Sequence, residues 1–231
     1  MKCLICNTDI KGHYLKDEWQ QFICVHHQVE QCSSCGRFVK PSDLHVADGR
    51  CLCNFCRPSV VILDEHIKWV EKRVRFIFSS HGIIDIPLDV PIHLVTPADM
   101  AKLKGANFID LFQPGLTITS KTIGLFCSKY NHTIYIFNYL PKIQFAGVLA
   151  HEMLHVWQNE NNYFLSPKYT EGFCNLGSYL IYKTIDTDLS KYFIERLKTN
   201  PDPIYGDGFR EVFEMYRSVK DLKIVMNRLL K

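Results

Sequence analysis

His151-Glu152-Met153-Leu154-His155 places two imidazoles at i and i+4, with a carboxylate directly after the first. On a helix, residues so spaced share one face, so both rings can ligate a single metal ion. Two neutral imidazoles suit zinc, and zinc lowers the pKa of a bound water to about 7. Glu152 is then the base that takes a proton from that water as it attacks a carbonyl. A hydrolytic zinc also needs a third protein ligand and one open position. A third His further along the helix is excluded, because Gln158 and Asn161 stand where Gly and His would be required. Glu160 sits on the same helix about a turn and a half beyond His155 and points the wrong way. Glu171 lies far enough beyond His155 for a turn and the start of an antiparallel helix. Gly172 and Gly177 would let that helix approach closely. Glu171 is the expected third ligand.

A second chemistry is concentrated at the other end of the chain. Eight of the ten cysteines fall between Met1 and Cys56, that last one included. They read Cys3-x2-Cys6-x17-Cys24-x2-His27 and then, with the same spacing, Cys32-x2-Cys35-x17-Cys53-x2-Cys56. Each unit offers two close pairs of N/S donors, the set that a structural, tetrahedral zinc takes. Each is too small to bury a core, so metal must supply most of its folding free energy, about 10–16 kcal/mol in comparable fingers. His26 could stand in for His27 and Cys51 for Cys53, at the cost of the x2 spacing. The expectation is Zn2+ at three places, two structural and one catalytic.

Composition narrows the classes. The chain has 231 residues, 47% hydrophobic and 22% charged, enough for one or two globular domains. Charge-free apolar runs stay short of the roughly 18 residues a membrane helix needs. Met1-Lys2-Cys3-Leu4-Ile5-Cys6 has no apolar stretch for a signal peptide, so a cytoplasmic, reducing location is expected. From Met1 to Cys56 six basic residues balance six acidic ones. A neutral module lacks the phosphate-neutralising term that dominates nucleic-acid affinity. Nucleic acid and membrane are therefore excluded as main partners. Protein or peptide is the expected partner.

The elements that must hold these groups follow from pattern. The composition breaks near Arg57-Pro58, giving a double zinc-finger module over 1–57 and a second domain over 58–231. Residues 60–79 read as an amphipathic helix, Pro91–Val95 as a strand, and Pro97–Lys104 as a short helix capped by Thr96. Thr117–Thr119, Thr122–Cys127 and Thr133–Asn138 read as strands of a small antiparallel sheet, with Lys129–His132 as a turn. Pro141 fits the first turn of a helix running to about Asn161. Helices at roughly 168–185, 188–198 and 208–230 follow. The second domain is α+β. Thr133–Asn138, just before the metal helix, is expected to offer its edge to an extended substrate backbone.

The two consecutive finger units resemble a LIM domain, with four residues between them where two are usual. LIM domains usually bind proteins. Together with HEMLHVWQ, TEGFC and PIYGDGFR in that order, the chain resembles the plant DA-one-type LIM-metallopeptidases over essentially its whole length. The resemblance implies a gluzincin-like zinc peptidase domain cutting protein substrates. It implies zinc ligands His151, His155 and Glu171, and Glu152 as catalytic base. Tyr205-Gly206-Asp207-Gly208-Phe209-Arg210 matches a family signature. Tyr205 could donate to an oxyanion, or the block could be a Gly-rich turn opening the last helix. Plant members carry ubiquitin-interacting helices before the fingers; this chain begins directly at Cys3, so regulation by ubiquitin is not expected. The alternative reading is a LIM-type adaptor whose peptidase-like domain binds metal without turnover.

Overall fold

The computed structural model describes residues 1–123 and 128–231. One unit comprises residues 1–60 with 139–141, and a second comprises 61–138 with 142–231.

The first unit is two short hairpins on cysteine turns. β1 (Tyr14–Lys16) pairs antiparallel with β2 (Phe22–Cys24), and β3 (Leu44–His45) with β4 (Cys51–Leu52). After each opening Cys-x2-Cys the chain must reverse. Asn7 and Gly36 do this at φ 57° and 71°, with Asn7 N–H on the Cys3 carbonyl and Gly36 N–H on that of Cys32. Buried Asp17 ties the hairpins together: its carboxylate accepts from Trp19 and Gln21 N–H, and at 3.0 Å from Phe38 N–H. Trp19 closes the same joint by donating Nε1–H to the Cys35 carbonyl at 2.7 Å.

The second unit is α+β. It contains α1 (Asp64–Ser80), β5 (Ile92–Val95), α2 (Pro97–Leu103), β6 (Gly115–Ile123), β7 (Ser128–Phe137), α3 (Lys142–Glu160), α4 (Pro167–Ile185), α5 (Asp188–Thr199), α6 (Tyr205–Val219) and α7 (Leu222–Leu229). Thr96 caps α2 through Asp99 N–H as expected. α3 is the centre of the core. Phe145, Leu149, Met153, Leu154, Val156 and Trp157 are all essentially inaccessible, and Trp157 stacks on Phe173 of α4. Burying each such side chain contributes about 1.5–3 kcal/mol.

Four expectations need correction. The sheet is mixed, not antiparallel: its order is β5-β7-β6, with β7 parallel to β5 and antiparallel to β6. Alternation in sequence reports which face a residue takes, not which strand lies beside it. Consequently Thr133–Phe137 belongs to the central strand β7, and the edge strand next to α3 is β6. Lys129–His132 is strand rather than turn, pairing residue for residue with Thr119–Thr122. His132 is held there by Thr119 Oγ1 at 2.9 Å and Glu160 Oε1 at 3.0 Å. These partners override the local turn preference of Asn131. The expected strand Thr122–Cys127 lies outside the described residues beyond Ile123. Finally, Tyr205–Arg210 opens α6 as helix, and the expected 208–230 helix is two helices broken at Lys220, where φ is 54°. Asp202 starts α6 by accepting from Ile204 and Tyr205 N–H, both at 2.8 Å.

Candidate metal centre

His151 and His155 project from the same face of α3, one turn apart, as i,i+4 spacing requires. Their Nε2 atoms lie 3.1 Å from each other. Glu171, in the first turns of α4, brings Oε2 to 3.0 Å from His151 Nε2 and 3.6 Å from His155 Nε2. A tetrahedral zinc with bonds of about 2.0–2.1 Å would separate its N and O ligands by roughly 3.3 Å. The three observed edges bracket that value.

The hydrogens argue for a cation as strongly as the distances. His151 Nδ1 lies 3.0 Å from Asn175 Oδ1, and Asn175 Nδ2 donates to the Tyr205 carbonyl at 3.0 Å. The amide orientation is therefore fixed, so Nδ1 carries the ring proton and Nε2 of the neutral ring presents a lone pair. Glu171 Oε2 is buried, and among the described residues no hydrogen-bond donor satisfies it. The Nε2 lone pair of His151 and the Glu171 oxygen face one point, with His155 Nε2 beside them. Burial opposes ionisation of Glu171, but the imidazoles of His151 and His155 outweigh it and hold the carboxyl well below the usual carboxylate range. Burial likewise opposes charge on His151, and Glu171, with Glu152 and Asn175, overrides it and raises the pKa. Each group is tuned to meet positive charge. The donors fit zinc.

Glu152 lies on the same helix beside this point and is 5% exposed. Thr117 of β6 donates Oγ1–H to Glu152 Oε2 at 2.7 Å and sets the carboxylate's orientation. The other oxygen lies over Gly115, where a Cβ would collide with Glu152 Oε1 and come within 2.7 Å of Val148 Cγ1. Only glycine leaves room for Glu152 at that place. Tyr205 supports the site through its backbone. Its carbonyl positions Asn175, and its hydroxyl accepts from Gln113 Nε2 at 2.6 Å. Burial, with Glu171 and Glu152 nearby, pushes the Tyr205 hydroxyl up to about 12, so it stays protonated at neutral pH.

The glycines of this region divide their work differently from the expectation. Gly177 does face α3, where a Cβ would lie 2.6 Å from Leu154 Cδ1. Gly172 instead meets the backbone of Gly208 in α6. That crossing brings α6 close enough for the Tyr205 carbonyl to reach Asn175. Arg210 pairs with Asp207 and caps the end of α5 through the Lys198 and Asn200 carbonyls at 2.9 and 2.7 Å. The block at 205–210 is thus one site residue on a helix–helix junction. Cys174 had escaped the reading of the sequence. Its sulfur shares the neighbourhood of His151 and His155 within 4.8 Å, and Gln158 donates to it at 3.6 Å. Asn175 and Thr117 were also missed; the spacing of Asn175, one turn after Glu171, is the signal that could have found it. Glu160 is engaged with His132, away from this point.

In the first unit the eight expected ligands gather as two tetrads, Cys3–Cys6–Cys24–His27 and Cys32–Cys35–Cys53–Cys56, each with donor atoms within 4.8 Å of one another. Cys3 and Cys24 sulfurs lie 3.6 Å apart, as do those of Cys35 and Cys53. His27 Nε2 is buried without a hydrogen bond among the described residues, the condition of a ring nitrogen awaiting a metal. Hydrogen bonding to the Thr8 hydroxyl, 3.0 Å away, brings the Cys6 thiol down to about 7. Bonds from Cys35, Cys53 and Cys56 push Cys32 far below the thiol range. Both tetrads could hold metal ions.

The class defined by these parts is a two-unit α+β protein whose described residues include two Cys-rich tetrads in the first unit and a His-rich candidate centre on α3 and α4. Comparison with known proteins points to distant plant relatives. The chain is 22% identical over 280 residues to Protein DA1-related 7 of Arabidopsis thaliana, covering 92% of this chain and 50% of that one. It is 23% identical to Protein DA1-related 6 (92% of this chain, 44% of that one) and 22% identical to Protein DA1 (83% and 47%), both from the same plant. The chain thus spans about half the length of these curated relatives. No protein-family profile and no solved structure matches it. Among the described residues no helix is long and apolar enough to cross a membrane.

Proposed function

We propose that the chain is a zinc-dependent metallopeptidase that hydrolyses peptide bonds of protein substrates, with a LIM-like double finger as its first unit. The observation that carries this reading is the convergence of His151 Nε2, His155 Nε2 and Glu171 Oε2 within 3.0–3.6 Å, with Glu152 buried alongside. A zinc ion held by these three groups supplies Lewis acidity to a carbonyl and acidifies water. The remaining steps belong to the protein. Glu152, oriented by Thr117 and given space by Gly115, accepts the proton of the attacking water and returns it to the leaving amine. Tyr205 has its oxygen occupied by Gln113, so its own O–H is left to donate to the developing oxyanion. The free edge beside Glu152 is that of β6, and an extended substrate would align there through its backbone. The distant relation to DA1 proteins supports the same reading, as does the order of the motifs. The finger tetrads would carry structural zinc and dock a protein partner or substrate.

Glu171→Gln tests the ligand set. It replaces an anionic ligand with a neutral one of the same shape, so zinc bound to the full chain should fall by one equivalent and peptide hydrolysis with it. Excess zinc should restore part of the activity. Full zinc content in this variant would remove Glu171 from the ligand set.

A further inference from the structure

A further group of donor atoms lies in the first unit, using none of the tetrad residues. Glu30, His45 and Cys51 each offer one ligand atom, and the three atoms lie within 4.8 Å of one another. The fold fixes all three. His45 and Cys51 are direct partners across β3 and β4, so their side chains share one face at close range. β4 is pinned by Ser33, whose hydroxyl accepts from Cys51 N–H at 3.0 Å and whose own N–H donates to the Cys51 carbonyl at 2.8 Å. Glu30 is held by its carbonyl, which accepts from Val39 N–H at 3.0 Å.

The nearby sulfur of Cys51 distinguishes this cluster from a plain ion pair between His45 and Glu30. His45 Nδ1 lies 3.0 Å from the Asp43 carbonyl oxygen. A carbonyl has no proton to give, so Nδ1 carries one, and Nε2 of the neutral ring presents a lone pair. That lone pair faces Glu30 Oε2 at 3.0 Å. Two acceptors at this distance require a cation between them or a proton on the ring. A proton on the ring makes the His45–Glu30 ion pair; a metal ion would in addition engage the sulfur of buried Cys51, within 4.8 Å of both. An imidazole anchored through Nδ1–H on a carbonyl, a thiolate and a carboxylate are the ligand types of zinc, and the anchoring is what orients such a His.

We propose that Glu30, His45 and Cys51 form an additional metal site that takes a zinc-like divalent cation and leaves the fourth position to solvent. Binding displaces the Cys51 thiol proton to water. With the His45 and Glu30 side chains 43% and 50% exposed, the ion is reachable and exchanges more readily than one enclosed by four cysteines. The proposal is independent of the peptidase reading.

The test is zinc content of the full chain by native mass spectrometry, titrated with Zn2+ alone. Wild type should take up one equivalent more than His45→Gln, Glu30→Gln or Cys51→Ser, and a mild chelator should remove that equivalent first. His45→Gln and Glu30→Gln alter half-exposed side chains, so they keep the test valid should Cys51→Ser disturb folding. Titration with Co2+ should show a thiolate-to-cobalt absorption from this site that is lost in Cys51→Ser. Equal zinc content in wild type and His45→Gln at saturation would overturn the site. So would loss of metal in Cys51→Ser with full content in His45→Gln, which would place Cys51 in the neighbouring tetrad.

Discussion

Around the first tetrad the buried apolar residues are Cys3, Ile23 and Phe38, so one member of that small cluster is itself an expected ligand. In the second unit α3 alone buries six large apolar side chains, and its two imidazoles sit at the margin of a core that α1, α4 and α6 complete. The difference has a physical consequence. In the first unit most of the expected ligands are buried with only a few apolar side chains, so on the proposed reading metal and fold are one equilibrium. In the second the expected ligands are mounted on a core that exists without them, so on the proposed reading metal decides chemistry more than it decides the fold. A site for catalysis needs the second design, because an open coordination position gives up part of the binding free energy that a closed tetrad keeps.

The largest expected effect breaks the first unit alone. Cys32→Ser or Cys53→Ser should remove most of the roughly 10–16 kcal/mol that metal contributes to such a module, and hydrogen exchange should show residues 1–60 unprotected. Helical circular dichroism, which comes from α1–α7, should persist. Joint loss of both signals in one transition would mean that the two units do not differ in this way.

A smaller effect concerns the support of the α3 site. Asn175→Ala deletes the acceptor that fixes the His151 tautomer and leaves the Tyr205 carbonyl without its donor. Such a loss should cost about 10–100-fold in zinc affinity at this site, read by competition with a chromogenic chelator. Finger zinc should be unaffected. An unchanged affinity would show that Asn175 does not orient the ligand.

Much of this was legible in sequence because the chemistry is written at short range. The x2 and x17 spacings report turns and hairpins, and His-x3-His reports one helix face. That Glu171 comes to lie beside the two imidazoles was legible from chain length. What stayed hidden depends on neighbours brought in from afar. Thr117 meets Glu152 only because β6 is an edge strand, and pairing order is not encoded in alternation. Lys129–His132 reads as a turn until Thr119 and Glu160 capture His132. The Tyr205–Arg210 block reads as a turn because two of its six residues are Gly, yet those glycines serve helix contact, one with Asn200 and one with α4.

The smallest predicted effect is one of pH on the metal-free site. Glu171 is lowered, so its contribution is present above the ordinary carboxylate pKa and lost on acidification through its folded value. His151 is raised, so its contribution is present below about 6.5 and lost as pH rises through its folded value. The two overlap most fully between about 4.5 and 6.5. Without metal, the second unit should therefore melt slightly lower at pH 8 than at pH 6. Zinc replaces the proton, so the rise in Tm on adding zinc should grow over the same interval. A metal-free Tm that climbs from pH 6 to pH 8 would mean the pair does not stabilise the fold.

The central claim is that Glu152 acts on water beside the metal and is not a ligand. Glu152→Gln keeps the shape and can still accept the Thr117 hydrogen bond, but it cannot take a proton at neutral pH. Hydrolysis of a protein substrate by the full chain, measured beside zinc content and Tm, is the most direct measurement. The expected result is loss of cleavage by about 10²-fold or more, with zinc content and Tm unchanged. Cleavage at the wild-type rate in Glu152→Gln, or no zinc-dependent cleavage in wild type, would contradict the account and leave a metal-binding adaptor.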